Sequence, residues 1–440
     1  MRWICTWMVS LLLIFTNGQS NLRKKRVCII GAGPSGIASL KEVAEKLDMF
    51  EPIGFERSSD IGGQWIYSDN TDFDEHRLPV HSSIYKYLRT NIPKQVMACP
   101  DYRNFNGEDS SYVNHTTLLS YLRNYTDHFN LRQYIHFDTM VEKVIPLSNH
   151  NVTKWLVKIK KLNTNFSSKL ICDGVMVCSG PYTKPSIPNI LGIEKFPGRV
   201  LHSHIYRRPE DFTGQTVAIL GASISGKDIA FELSKYANKI YLSHRHDKIT
   251  TEMPSNVIQV MGIVAANTSN LILSDNTSIT ADSLILCTGF DHDVPFLDKR
   301  SGVEIRKKYL YPVYKQIVNI EHPTMGFIHF FPTIRPFCPK FASQAKYFVA
   351  HLQGKVDLPN HEKMFQEADD ILENIKSSKS LDYWWYYLDS LAKAANFEPL
   401  PEFYKEGYRL WFSRMSCDPL HFREYNLRFK EDGSIEEVKA

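Results

Sequence analysis

An apolar strand running into the glycine-rich turn Gly31-Ala32-Gly33-Pro34-Ser35-Gly36, a second strand and turn at Gly221-Ala222-Ser223-Ile224-Ser225-Gly226, and two apolar runs that each end in a small residue and glycine predict an α/β chain. The expected architecture is two Rossmann-like dinucleotide-binding domains, the second inserted into the first.

The first unit opens with Arg26-Val27-Cys28-Ile29-Ile30, a short apolar strand. Gly31 permits the tight turn, Gly33 lets the backbone approach a pyrophosphate, and Gly36 lets the new helix pack closely on the strand. The N–H groups of that helix, entered through Ala32, Pro34 and Ser35, then face an anion. A second strand, Ile53-Gly54-Phe55-Glu56, ends in an acid twenty residues past Gly36, where a ribose hydroxyl needs an acceptor. In Gly62-Gly63-Gln64-Trp65 the paired glycines allow backbone to run close against a ligand, and Trp65 supplies a flat apolar wall. Further on, Thr90 and Asn91 precede Ile92, which Pro93 forces extended, so this loop suits the presentation of side chains to a pocket. His115 to Phe129 has apolar residues at helical spacing. Strands are expected at Trp155 to Ile159 and Leu170 to Cys178, the latter ending in Ser179-Gly180-Pro181, and Pro185, Pro188 and Gly192 mark a linker.

The second unit repeats the device with strand Gln215 to Leu220, the turn, and a helix over Lys227 to Tyr236. Ser223 takes the place of the central glycine and adds a hydroxyl. Its second strand, Lys239 to Ser243, is followed by His244-Arg245-His246 instead of an acid. An acid repels a 2′-phosphate, whereas Arg245 pairs with one, so this site should prefer NADPH over NADH. The acid-bearing first site then suits FAD. Ser283 to Phe290 mirrors Val175 to Gly180, and the chain is expected to return there to the first domain, with a strand over Thr324 to Phe331 and helices over Phe341 to Leu352 and Leu381 to Tyr387. Lys430 to Ala440 is charged and expected to fray.

The resulting divisions are a leader at 1–20, the FAD domain at 21–182, the NADPH domain at 183–289, and the rest of the FAD domain with C-terminal helices at 290–440. The leader reading rests on Arg2, the apolar run Trp3 to Phe15 and the small, polar stretch Thr16 to Ser20, which fit a secretory signal with cleavage after Gly18 or Ser20. A signal anchor needs about 18 apolar residues. Six Asn-x-Ser/Thr sequons, at Asn114, Asn124, Asn151, Asn165, Asn267 and Asn276, agree with a secreted glycoprotein. Outside the leader, seven scattered cysteines make no disulfide framework, and Cys28, Cys178 and Cys287 read as buried free thiols; one disulfide among the others is left open.

A net charge of +4 over 440 residues lacks the basic footprint of nucleic-acid binding or a polybasic membrane patch, so the expected partner is a small molecule. No metal cluster is expected, no membrane anchor is expected at the C-terminus, and a homo-oligomer is left open. No CxxC or CxxxxC pair is present to take electrons from a flavin, which leaves O2 as the acceptor.

Phe196-Pro197-Gly198-Arg199-Val200-Leu201-His202-Ser203-His204-Ile205-Tyr206 resembles the FxGxxxHxxxY fingerprint of the flavin-containing monooxygenases. The two glycine turns, Phe55-Glu56-Arg57, Gly62 to Trp65, Leu88 to Lys94 and Cys287-Thr288-Gly289-Phe290 stand in that family's order over about 25–350. Tyr206 departs from the Trp of Baeyer–Villiger relatives, and an anchor-free secreted chain resembles the insect members, including the pyrrolizidine-alkaloid (senecionine) N-oxygenases. The resemblance implies that NADPH reduces FAD, that O2 adds to give a C4a-hydroperoxyflavin shielded by NADP⁺, and that a nucleophilic nitrogen or sulfur takes the distal oxygen. It further implies that Asn91 hydrogen-bonds near the flavin and nicotinamide, and that Ser223, Ser225 and Gly226 hold the NADPH pyrophosphate. For His202 and Tyr206 it leaves two readings, bracing of the linker or catalysis. The expected activity is N-oxygenation of a tertiary amine, with a plant alkaloid as candidate; the alternatives are a broad S- or N-oxygenase, a flavin-binding protein without turnover, and an NADPH oxidase releasing peroxide.

Loss of a charge-assisted phosphate contact costs roughly tenfold or more in affinity. Arg245→Ala should therefore raise KM for NADPH by at least that factor while KM for NADH moves little; equal losses for both would remove Arg245 from 2′-phosphate recognition.

Overall fold

The computed structural model describes residues 23–105, 109–147, 152–245, 249–331, 337–374 and 380–439. The leader 1–20, the sequon at Asn151 and His246 lie outside the described residues.

Two sheets organise the chain, one of seven strands with an antiparallel edge and one of five parallel strands. The first begins with β1 (Lys25–Ile30), β2 (Phe50–Phe55), β3 (Ile135–His136) and β4 (Gly174–Val177). The chain then builds a second sheet from β5 (Arg199–His202), β6 (Thr216–Leu220), β7 (Lys239–Ser243), β8 (Val257–Val260) and β9 (Ser283–Leu286). It returns to the first for β10 (Val313–Tyr314), β11 (Val318–Asn319) and β12 (Met325–Phe327). The sheet orders are β10-β11-β12-β4-β1-β2-β3 and β8-β7-β6-β9-β5, so one Rossmann-like unit is inserted into another, as expected. β1 pairs in parallel with β2 and β4, and β6 in parallel with β7 and β9. Outgoing and returning chains meet as a short antiparallel ribbon, Lys184–Pro185 against Phe290–Asp291.

Period-two patterning decides which layer covers each face. In β1, Val27 and Ile29 join a core with helices α1 (Pro34–Ala44), α2 (His115–His128) and, from its far side, the helix Cys338–Leu352. Cys28 and Ile30 point the other way, onto the antiparallel sheet formed by Thr139–Pro146, Trp155–Lys161 and Phe166–Cys172. The inserted unit repeats this. Val217 and Ile219 of β6 meet α3 (Ile224–Leu233), whereas Ala218 and Leu220 meet the small antiparallel sheet formed from 263 to 279. The helix Cys338–Leu352 is α4, and the helices His361–Glu373, α5 (Leu381–Ala395) and α6 (Glu402–Cys417) follow it in the first unit.

Four expectations need correction. Cys28 is not a free thiol: it is bonded to Cys172, and a second disulfide joins Cys99 to Cys338, while Cys178 and Cys287 are buried and free as expected. Sequence separations of 144 and 239 hide both pairings. The apolar run Leu170 to Cys178 is two strands in different sheets, divided at Asp173, whose carboxylate accepts from the Arg26 N–H (2.9 Å). The tail is paired, since Ile435–Lys439 forms a hairpin with Tyr425–Phe429. α3 starts three residues earlier than Lys227. Of the sequons, Asn165, Asn267 and Asn276 sit on exposed turns; Asn114 caps α2, accepting from the Thr117 N–H, and Asn124 lies within that helix. No described helix is long and apolar enough to cross a membrane.

Candidate functional site

The carboxyl ends of β1, β4 and β12 face those of β6, β7 and β9 across a cleft of about 1840 Å³, lined from both units. Ligands of open α/β sheets bind at such strand ends.

The two glycine turns have the same construction. Gly31 takes φ +99° and Gly221 φ +111°, and a Cβ on Gly36 or Gly226 would stand 1.9 or 1.8 Å from the carbonyl oxygen of Gly31 or Gly221. A side chain there pushes helix off strand. Neither Gly33, which precedes α1, nor Ser223, which precedes α3, caps its helix through a side chain. The first-turn N–H groups are therefore left to an anion.

The cleft gathers Gly31, Gly33, Pro34, Ser35, Glu56, Gly63, Gln64, Trp65, Thr90 and Asn91 from the first unit, with Gly221, Ala222, Ser223, Ile224, Ser225 and Arg245 from the second. Three candidates stand behind its wall. Gly36 and Gly226 act at the helix–strand crossings, and the Ala32 N–H donates to Glu56 Oε2 (2.7 Å). Glu56 is 5 % exposed and its Oε1 accepts from the Ser58 N–H (2.9 Å), which leaves lone pairs for a ribose hydroxyl. Gly63 brings its backbone against Gly33, where a Cβ would lie 3.0 Å from the Gly33 Cα. Trp65 meets Phe337 edge to face at 6.0 Å. Arg245 is exposed, two residues past β7. Uncapped helix starts, close glycine backbones and the Glu56/Arg245 pair fit FAD in the first unit and NADPH in the second.

Several residues that hold this site are invisible in the motifs. Trp411 of α6 donates its Nε1–H to the Asn91 carbonyl (2.6 Å), and Arg423 donates Nε–H to the Thr90 carbonyl (3.0 Å). The Arg423 guanidinium also forks onto Asp228 of α3 (3.0 and 2.8 Å). The Asn91 loop is thus tied to the C-terminal segment and to the helix that follows the second glycine turn. Thr90 Oγ1 is buried in the cleft wall without a hydrogen-bond partner among the described residues.

The fingerprint is a brace. His202 Nδ1 accepts from the His204 N–H and its Nε2–H donates to the Gly289 carbonyl (both 3.0 Å), which fixes a neutral tautomer. His204 accepts from Ser83 Oγ–H (2.6 Å) and donates to the Val80 carbonyl (3.1 Å). Arg207 spans Ser68 and Ser82, and the Tyr206 hydroxyl donates to Glu232 Oε2 (2.9 Å). Neither His202 nor Tyr206 lines the cleft. Burial pushes the Glu232 carboxyl up to about 7, against the opposing hydrogen bond from Tyr206.

Two Rossmann-like units sharing one cleft define a two-dinucleotide oxidoreductase. The model of the family described as "Flavin-binding monooxygenase-like" matches residues 24–253 and 246–399, and the chain belongs to that family. It is 31 % identical over 444 residues to the Senecionine N-oxygenase of Tyria jacobaeae, covering 97 % of this chain and 94 % of that protein. It is 32 % identical over 371 residues to the Flavin-containing monooxygenase FMO GS-OX3 of Arabidopsis thaliana, covering 80 % and 78 %. Among solved structures, S-allyl-L-cysteine S-oxygenase from Allium sativum superposes with a TM-score of 0.81 at 28 % identity, covering 93 % of this chain and 96 % of that one. The protein is accordingly a flavin-dependent monooxygenase.

Burial pushes His202 down to about 4, below the ordinary imidazole value near 6.5. A histidine held neutral in the fold charges more easily when unfolded, so its contribution to stability is present above about pH 6.5 and is lost as pH falls toward 4. Glu42 and Glu232, both raised to about 7, act in the opposite direction, so the informative quantity is a difference between proteins. Melting temperature followed from pH 7 to 4 should fall less steeply in His202→Gln than in the parent; identical slopes would overturn the assignment.

Proposed function

We propose that this chain is an NADPH-dependent N-oxygenase that converts a tertiary amine to its N-oxide, with a pyrrolizidine alkaloid such as senecionine as candidate substrate. The overall balance is amine, O2, NADPH and a proton going to N-oxide, NADP⁺ and water. The observation that carries the reading is a single cleft in which both glycine turns, Glu56, Arg245 and Asn91 line one space. The near full-length similarity to an enzyme named for senecionine N-oxygenation supports the amine. When bound, FAD supplies activation of O2 and NADPH supplies the two electrons.

The chain's own part is binding, orientation and exclusion of water. The turns at Gly31 and Gly221 take pyrophosphates at the starts of α1 and α3, and Glu56 and Arg245 distinguish the two nucleotides. Asn91 offers an amide donor and acceptor to the space between them, and the Trp411 bond to its carbonyl holds that backbone in place. Trp65 and Phe337 form an apolar wall that keeps water from the reacting atoms. A sulfide is the second reading, supported by the similarity to S-allyl-L-cysteine S-oxygenase. The apolar leader and two disulfides support passage through the secretory pathway, and protein recovered from medium should begin after Gly18 or Ser20 on N-terminal sequencing.

The purified holoenzyme should consume NADPH and O2 and form N-oxide from a tertiary amine in a ratio to NADPH close to unity. Sulfoxide formed from a sulfide with no N-oxide from amines would favour the second reading, and peroxide alone would make the protein an oxidase. Asn91→Ser should lower the product-to-NADPH ratio while FAD absorbance is retained; an unchanged ratio would remove Asn91 from the mechanism.

A further inference from the structure

His329 follows β12 at the carboxyl end of its sheet and lines the cleft. Its φ of +68° is left-handed, a conformation glycine adopts freely and histidine does not. A buried relay maintains that backbone. The His329 N–H donates to Gln344 Oε1 (3.0 Å), Gln344 Nε2 to the Tyr387 hydroxyl (2.9 Å), and that hydroxyl to the Lys315 carbonyl (2.8 Å). The chain thus keeps an imidazole at a position where glycine would fit without strain.

The ring lies against Phe341 at 4.5 Å and Tyr182 at 6.1 Å, between centroids. Its Nδ1 is shut off from solvent and has no hydrogen-bond partner among the described residues, although the residue as a whole is partly exposed. The edge open to the cleft is therefore the one carrying Nε2. Burial, then Lys340 and His292, hold the ring well below the usual imidazole range, so it is neutral and carries one proton. A proton on Nδ1 would be a buried donor with nothing to meet, whereas a proton on Nε2 faces the cleft.

Strand order decides what that donor meets. β12 lies beside β4, and β4 beside β1, whose end is the first glycine turn. His329 therefore stands in the same crevice as that turn, two strands along. We propose that His329 donates from Nε2 to an oxygen of the phosphate–ribityl chain of the flavin nucleotide, a contact that fixes the cofactor beyond its pyrophosphate. The inference rests on FAD occupying the first unit.

The test is FAD affinity, read by quenching of flavin fluorescence as apoprotein is titrated, with the melting temperature of the apoprotein measured beside it. His329→Gly removes the donor and relieves the left-handed backbone. It should weaken FAD by roughly tenfold while apoprotein stability stays level or rises. Unchanged FAD affinity overturns the proposal. Parallel loss of affinity and apoprotein stability also overturns it, because His329 would then be a packing residue. Parent protein that takes up no FAD refutes the flavin assignment itself, an outcome distinguishable from failure of the variant alone.

Discussion

Everything in the cleft depends on how closely a helix is allowed to cross the strand that precedes it. With no Cβ on Gly36, α1 lies on the end of β1 so tightly that its residue touches the Gly31 carbonyl, and Gly226 does the same beneath Gly221. That contact aims each helix start at the strand ends instead of at solvent. Because neither helix is capped by a side chain, the N–H groups so aimed have no competing local partner. The same two crossings set the separation over which both nucleotides must be accommodated.

A cleft between two units is only as definite as the links across it. The covalent links are few, the paired segments Lys184–Pro185 and Phe290–Asp291 being the described crossing. Side chains add the rest. Arg423 reaches Thr90 and Asp228 together, and its bidentate geometry makes the pair directional as well as attractive. On the fingerprint's side, His204 reaches the Val80 carbonyl and Arg207 the Ser68 and Ser82 carbonyls of the first unit. The Asp228–Arg423 pair is only half-buried, so water offsets part of the cost of removing one partner. These contacts therefore act as constraints on geometry more than as net sources of stability.

What could be read from sequence was what is local. Alternation of Val27 and Ile29 with Cys28 and Ile30 gives a strand covered on two faces, and both faces are found covered. The glycine turns, Glu56, Arg245 and the Asn91 loop were each legible because short spacing carries their geometry. Contacts set by tertiary path were not legible. Arg423 lies 333 residues from Thr90 and Trp411 lies 320 from Asn91, with no periodicity linking them. Cys28 read as a small apolar residue because its neighbours are apolar; only the return of the chain at Cys172 makes it a disulfide. Asp173 carries no local signal of a break for a similar reason, since its role is to bond the Arg26 N–H while the chain changes sheets.

The distribution of charge bears on which form of a substrate the cleft admits. Burial holds the cleft-lining His81 and His329 below the ordinary imidazole range, with Arg57 adding to the effect at His81 and Lys340 at His329. The guanidiniums of Arg57 and Arg245 instead stand just past the second strand of each unit, at the ends where phosphates and riboses are expected. Desolvation that disfavours an imidazolium disfavours an ammonium for the same reason. A tertiary amine attacks oxygen through its lone pair and must be neutral to do so. The low polarity that keeps these histidines uncharged therefore selects, for an amine, the protonation state that reacts.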